Sequence, residues 1–175
     1  RMVSLVNNIL DLRRLEDGRM DYKFVDLDLV ALVRSVFTEL KSIADRKGLE
    51  LKANLPDEKF LVKADEEKLR QVIQNLIDNA LKYTEKGWVR INMEKAADGV
   101  LISVTDSGRG ISKELLPRLF EQWSRDSKAA KEIQGTGLGL YIAKEIMKAH
   151  GGEIWAESPG EGMGSTFSIR LKLSA

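Results

Sequence analysis

The stretch Gly135-Thr136-Gly137-Leu138-Gly139-Leu140 sets three glycines on alternate positions and leads into an apolar helix that runs toward His150. Glycines let a backbone approach another group closely, and a helix start offers unpaired N–H groups to an anion, so phosphate is the obvious partner. Two common phosphate motifs do not fit. A dinucleotide-binding turn follows a strand, whereas Arg125 to Gln134 is polar, charged and without period; a P-loop needs Gly-Lys-Ser/Thr, which is absent. A glycine-rich helix entry without a ligand is the bland alternative, and what surrounds the stretch has to decide.

The helix after Gly137 has one ridge of Leu138, Ile142, Ile146 and Ala149 and a second of Leu140, Ala143 and Met147, a width that suits a helix lying across a sheet. Beyond it, Glu153 to Glu157 and Thr166 to Leu173 read as strands, with Pro159-Gly160-Glu161-Gly162 turning between them. Before it, Trp88 to Lys95 and Val100 to Thr105 read as a hairpin in which Asp98-Gly99 supplies the positive φ of a tight turn. Asp106-Ser107-Gly108-Arg109-Gly110 is then a bend, and Ser112 opens a short helix containing Leu115, Leu116, Leu119 and Phe120. Upstream, Asp28 and Asp65 are plausible caps for helices over Leu29 to Ile43 and Glu66 to Tyr83, with strands at Leu49 to Asn54 and Phe60 to Ala64. Leu5, Ile9 and Leu12, supported by Met2 and Val6, recur at helical spacing and stop at Asp17-Gly18, as in a helix entering from upstream of Arg1. This order of helices and mostly antiparallel hairpins argues an α+β, two-layer sandwich, without internal repeat.

A chain of 175 residues is long enough to bury a real core. Lys+Arg 28 against Asp+Glu 27 leaves a net charge of +1, so no global field favours nucleic acid or an anionic membrane. With no cysteine there is no disulfide framework, thiolate metal site or cysteine nucleophile, which is compatible with a reducing, cytoplasmic compartment. No apolar run approaches the roughly 20 residues that span a bilayer.

The helix Glu66 to Tyr83 carries the chemistry. At about 100° per residue, Asn75, Asn79, Lys82 and Tyr83 share one flank of its apolar face, away from Arg70, Gln74 and Asp78. An Asn oxygen is a neutral hard ligand for Mg²⁺, Lys balances phosphate charge, and Tyr packs beside a base; a polar helix edge with ordinary hydrogen bonds is the alternative. Asp106, at the end of a strand and before Gly108 and Gly110, can accept a hydrogen bond from an exocyclic amine such as that of adenine while the glycines leave room for the ring; its alternative is an ordinary Asp-Ser-Gly turn.

Taken together, the motifs resemble the nucleotide-binding (Bergerat) fold shared by sensor histidine kinases and the ATPases of type II topoisomerases, heat-shock chaperones and mismatch-repair proteins. Asn75-Leu-Ile-Asp-Asn79-Ala-Leu-Lys82-Tyr83 resembles the N box, Asp106-Ser-Gly108-Arg-Gly110 the first glycine box, Leu119-Phe120-Glu-Gln-Trp123 the F box, and Gly135 to Leu140 the second glycine box. The resemblance covers Leu27 to Leu173. It implies a mixed, mostly antiparallel five-stranded sheet covered on one face by about three helices, with ATP held between the N-box helix and a lid made by Arg125 to Gln134. By matching position, Asn79 would coordinate Mg²⁺ with Asn75 assisting, and Asp106 would hold the adenine amine. Lys82 and Arg125 would face phosphates, Tyr83 and Ile111 the base, the second-glycine-box residues Gly135, Thr136, Gly137, Leu138, Gly139 and Leu140 would line the phosphate chain, and Thr166 would support Asp106. Asn75, Lys82 and Arg125 are the catalytic candidates.

Hydrolytic members of the superfamily place a general-base Glu four residues before the metal-binding Asn. Here that position is Asn75, which takes no proton at neutral pH, so the resemblance favours a histidine kinase whose nucleophile arrives from another domain. Residues 1–18 look like the end of the second helix of a dimerisation and phosphoacceptor hairpin, 19–26 a linker, and 27–175 the catalytic ATP-binding domain. The implied partners are ATP, that hairpin in the same protein or its dimer partner, and the receiver domain of a response regulator, with the parent protein a homodimer and its acceptor His upstream of Arg1. A stand-alone ATPase or serine kinase of the same superfamily, and a non-catalytic nucleotide sensor, are the alternatives. His150, the only histidine, reads as a helix C-cap, Arg13 and Arg14 as a solvated helix face, Trp88, Trp123 and Trp155 as packing residues, and the methionines as no cofactor box.

Overall fold

The structure, a computed structural model, describes residues 2–124 and 136–174. Its elements in chain order are α1 (Met2–Glu16), β1 (Val25–Asp28), α2 (Leu29–Arg46), β2 (Glu50–Asn54), β3 (Leu61–Ala64), α3 (Glu66–Tyr83), β4 (Trp88–Ala96), β5 (Gly99–Asp106), a single 3₁₀ turn (Leu116–Arg118), α4 (Gly139–Ala149), β6 (Glu153–Glu157) and β7 (Ser165–Leu171). The expected lid, Arg125 to Gln134, lies outside the described residues, as does Gly135.

Two short carboxylates start two of the layer helices. The Asp28 side chain accepts from Val30 N and Asp65 from Lys68 N, each satisfying a first-turn N–H that has no partner within its helix. α3 buries Leu69, Val72, Ile73, Leu76, Ile77, Ala80 and Leu81, the stripe its spacing requires. These side chains meet the inner face of a five-stranded sheet in the order β2-β4-β5-β7-β6, parallel between β2 and β4 and antiparallel elsewhere. Alternation along β4, β5 and β7 puts Val89, Ile91, Met93, Val100, Ile102, Val104, Phe167 and Ile169 on that face. Each large aliphatic buried in this way contributes about 1.5–3 kcal/mol. The other face is polar: Asn54 Nδ2 donates to Asn92 Oδ1 at 2.8 Å, and Ser103–Ser168 and Thr105–Thr166 hydroxyl pairs bridge β5 and β7. The result is the expected two-layer α+β sandwich, with α2, α3 and α4 on one face.

Three local expectations are redrawn. The hairpin forms, but Ala96 pairs with Gly99, so Ala97 and Asp98 make the turn, and Gly99 lies in β5 without positive φ. What requires glycine there is crowding, since a Cβ on Gly99 would sit 2.0 Å from the Leu171 carbonyl oxygen. Ser112 does start a turn, accepting from Leu115 N through its hydroxyl and from Leu116 N through its carbonyl. With Pro117 inside it, the segment amounts to one 3₁₀ turn. Finally, β1 begins at Val25, within the expected 19–26 linker, and pairs antiparallel with β3 from Val25↔Ala64 to Asp28↔Leu61.

Candidate functional site

α3 and α4 meet at the second glycine box. Gly137 has φ +71°, a conformation that favours glycine, and Thr136 Oγ1 accepts from Leu138 N at 3.2 Å, shaping the turn that delivers the chain to Gly139. Leu138 is fully buried and supplies no side-chain cap, so the first turn of α4 keeps the anion-seeking end of its dipole. Asn75 stands against that turn. A Cβ on Gly139 would lie 2.8 Å from both the oxygen and the nitrogen of the Asn75 amide, so the glycine is needed for the N-box amide to reach the helix start. Asn79 follows Asn75 one turn along the same half-buried flank, which is the spacing that puts two side chains on one face. Lys82 and Tyr83 complete the flank, with Lys82 Nζ 5.6 Å from the Tyr83 ring centre. The two neutral amides and Lys82 therefore share one flank of α3, and Asn75 brings that flank against the uncapped start of α4. Among the described residues no group of three or more His, Asp or Glu side chains makes a metal cage, so a cation here would take most of its ligands from phosphate and water.

Asp106 ends β5 beside the C-terminal end of α3, the end that carries Lys82 and Tyr83. It is 4% exposed; its Oδ1 accepts from Gly108 N at 2.8 Å and its Oδ2 from Ser165 Oγ at 2.6 Å. Burial pushes its carboxyl above the usual carboxylate value, and the Ser165 hydroxyl and the Gly108 and Ser165 amides partly oppose this. The loop after it is fixed from two sides: Arg109 N donates to the Tyr83 carbonyl at 3.1 Å, and Ile111 N to Ser158 Oγ at 3.0 Å. The glycines of this loop make room for backbone. A Cβ on Gly108 would meet the Tyr83 oxygen at 2.5 Å and Thr84 Oγ1 at 2.8 Å, and one on Gly110 (φ +68°) the Gly160 oxygen at 2.0 Å. Ile111 is buried beside them.

One assignment shifts by a residue. Thr166, expected to support Asp106, instead pairs with Thr105 at 3.0 Å on the outer face of the sheet, and Ser165 takes the role. The signal was present in the sequence: Phe167 and Ile169 point to the core, and a period of two puts Ser165 with them and Thr166 opposite. Thr84, fully buried and bonded to the Ala80 carbonyl at 2.7 Å, is a second residue at this end that motif reading missed. Arg125 and Gly135 lie outside the described residues. A shallow depression of about 580 Å³ lies beside Trp88, Thr105, Glu157, Pro159, Met163 and Thr166. It includes Asp106 in its lining but neither the N-box amides nor the start of α4, so it lacks the phosphate-directed groups.

His150 caps α4, with Nδ1 2.7 Å from the Ile146 carbonyl and Nε2 accepting from Asp65 N at 3.0 Å. Both ring nitrogens are engaged with backbone, which suits a structural histidine.

Comparison with known proteins agrees with this fold. Residues 64–175 match the family described as histidine kinase-, DNA gyrase B-, and HSP90-like ATPase. The chain is 38% identical over 177 residues to the sensor histidine kinase WalK of Bacillus subtilis (strain 168), covering 98% of this chain and 28% of that protein. It is 36% identical over 171 residues to the histidine protein kinase DivJ of Caulobacter vibrioides, covering 97% of this chain and 28% of that one. The chain thus spans under a third of the curated relatives it matches. Among solved structures, full-length ShkA in complex with AMPPNP superimposes with TM-score 0.84 at 30% identity, over 99% of this chain and 36% of that one. The nucleotide-free catalytic domain of the histidine kinase ThkA gives 0.75 at 30% identity, over 86% and 97%. The N-box helix, the Asp106 pocket and the glycine-box entry to α4 thus stand on a fold and a sequence that belong to the histidine kinase-, DNA gyrase B- and HSP90-like ATPase family, among the sensor histidine kinases.

Proposed function

We propose that this chain is the ATP- and Mg²⁺-binding catalytic unit of a two-component sensor histidine kinase, transferring the γ-phosphoryl group to a histidine on a dimerisation hairpin for passage to a response-regulator aspartate. The observation that carries this is the meeting of the Asn75 amide with the uncapped start of α4.

In this reading Asp106 accepts the exocyclic amine of adenine, with Ser165 and Gly108 holding its two oxygens in place. Asn79, assisted by Asn75, holds the cation, which when bound neutralises phosphate charge and fixes the chain's orientation. The backbone of Gly137 and Gly139, Lys82 and Arg125 face the phosphates, while Tyr83 and Ile111 pack beside the base. Phosphoryl transfer asks mainly for positioning and charge neutralisation, and this groove offers both. What it does not offer is a base: an amide at position 75 takes no proton from water, so the nucleophile is supplied by the hairpin histidine.

α1 fits the end of that hairpin's second helix. Leu5, Val6 and Ile9 are 41%, 51% and 48% exposed, an apolar stripe that supports packing against further helices in a homodimer. Among the described residues no helix is long and apolar enough to cross a membrane.

The test is to mix the chain with a separately made acceptor hairpin, Mg²⁺ and ATP labelled at the γ-phosphate. Acid-labile, base-stable label should appear on the hairpin histidine. Steady release of inorganic phosphate with an unlabelled hairpin would replace the kinase with the hydrolytic reading.

A further inference from the structure

α1 exposes most of its apolar residues yet buries a carboxylate. Asp11 is 5% exposed; its Oδ1 accepts from Lys68 Nζ at 3.0 Å and its Oδ2 from Gln71 Nε2 at 2.8 Å. Leu12 is buried beside it, and Leu15 packs against the core. A charge withdrawn from water costs free energy unless it is paired and hydrogen-bonded, and here both oxygens are satisfied by one element, α3. The Lys68 side chain is itself only 16% exposed.

The placement on both helices matters. On α1, residues 8, 11, 12 and 15 follow the spacing of one face, and Asn8 Nδ2 reaches Thr136 Oγ1 at 3.4 Å. That same oxygen receives Leu138 N and so shapes the entry to α4. On α3, residues 68, 71, 75 and 79 also follow one face, so the flank that grips Asp11 continues into the flank that carries Asn75 and Asn79. α1 therefore lies beside the N-terminal half of α3 and the entry to α4, whereas Asp106 with Ser165 lies at the C-terminal end of α3.

We infer that Asp11 is a positioning residue that latches α1 to the N-box helix and, through Asn8 and Thr136, sets the entry to α4 where the phosphates bind. This rests on the nucleotide reading above for its ligand, while the latch itself rests on geometry. It makes the position of α1 and the affinity for the phosphate chain two readings of one contact. Movement of α1 along or away from α3 must break the Asp11–Lys68 pair before it can change anything else.

The experiment compares Mg·ATP and adenosine binding to the whole chain by calorimetry and NMR titration for the unaltered protein, Asp11→Asn, Asn8→Ala, and the exchange Asp11→Lys with Lys68→Asp. Asp11→Asn keeps the shape and the bond to Gln71 but loses the charge, so Mg·ATP should bind about tenfold more weakly with adenosine unchanged. Asn8→Ala should weaken Mg·ATP in the same direction by less, and the exchange should restore most of the loss, which a merely structural defect would not allow. Unchanged ATP affinity in Asp11→Asn, or equal loss of ATP and adenosine, or no restoration by the exchange, would overturn the assignment. Should the unaltered chain bind no ATP, the nucleotide reading fails. Spin-label distances between α1 and α2 then still decide the latch: broadening in Asp11→Asn supports it, and an unchanged distribution refutes it.

Discussion

Replacing Asp106 by asparagine should cost ligand and spare the fold. The carboxylate is nearly inaccessible, and burial raises its pKa against the opposing hydrogen bonds from Ser165 and Gly108. A carboxyl whose folded pKa lies above its unfolded value stabilises the fold when protonated, and that contribution disappears as pH rises from the unfolded value, 3.8, through the folded one. At neutral pH the charge is therefore a net burden on folding. In Asp106→Asn the amide oxygen still accepts from Gly108 N and the amide nitrogen can donate to Ser165 Oγ, but the Ser165 backbone N–H loses its acceptor, a cost that offsets the removal of the buried charge. Stability at pH 7 should change by less than about 1 kcal/mol, whereas Asp106→Ala, which leaves the Gly108 amide and Ser165 hydroxyl without acceptors, should cost about 2–4 kcal/mol. ATP affinity should fall in Asp106→Asn by about ten- to a hundredfold, the worth of one charge-assisted bond to the adenine amine. Urea unfolding and calorimetry on the same preparations measure both quantities. Loss of several kcal/mol of stability, or undiminished ATP affinity, would refute the reasoning.

Gly139→Ala would drive a methyl into the Asn75 amide; because that amide is the end of a side chain it can move, so the fold should lose about 1 kcal/mol or less while Mg·ATP, but not adenosine, binds more weakly, as paired titrations would report. Gly110→Ala meets both a positive φ and the Gly160 carbonyl at 2.0 Å, and urea denaturation should register a loss of about 3 kcal/mol or more. Asp65 pays a desolvation cost, but hydrogen bonds from the Lys23 and Lys68 amides and the Lys68 charge leave its pKa below 3.8. Its stabilisation is complete above that unfolded value and lost as pH falls through the folded one, so thermal unfolding followed from pH 5 to pH 2 should show a shallower acid decline in Asp65→Asn than in the parent.

The layer order was legible because apolar period and caps are local: Asp28 and Asp65 stand directly before the helices they cap, and the α3 stripe repeats from Leu69 to Leu81. That Asn75 and Asn79 share one flank was legible for the same reason, since both lie on one helix. What escaped depends on distant partners or on a single residue of register. β1 is only Val-Asp-Leu-Asp, and its partner β3 lies far along the chain. Asp11 looks like any helix-surface acid until Lys68, separated from it by 57 positions, is placed beside it. Thr166 and Ser165 are chemically alike, and only the sheet face separates them. At Gly99, the residue that suggested positive φ is needed instead for the close pass of β7.

The most direct test of the account is to follow backbone amide NMR shifts as Mg·ATP is added to the unaltered chain. The account predicts that Asn75, Asn79, Asp106, Gly108 and Gly137 to Leu140 shift together and saturate at one affinity, while Ser103, Ser168 and Trp155 on the outer sheet face stay put. Shifts centred instead on Trp88, Glu157 and Met163, with α3 and the start of α4 silent, would contradict it.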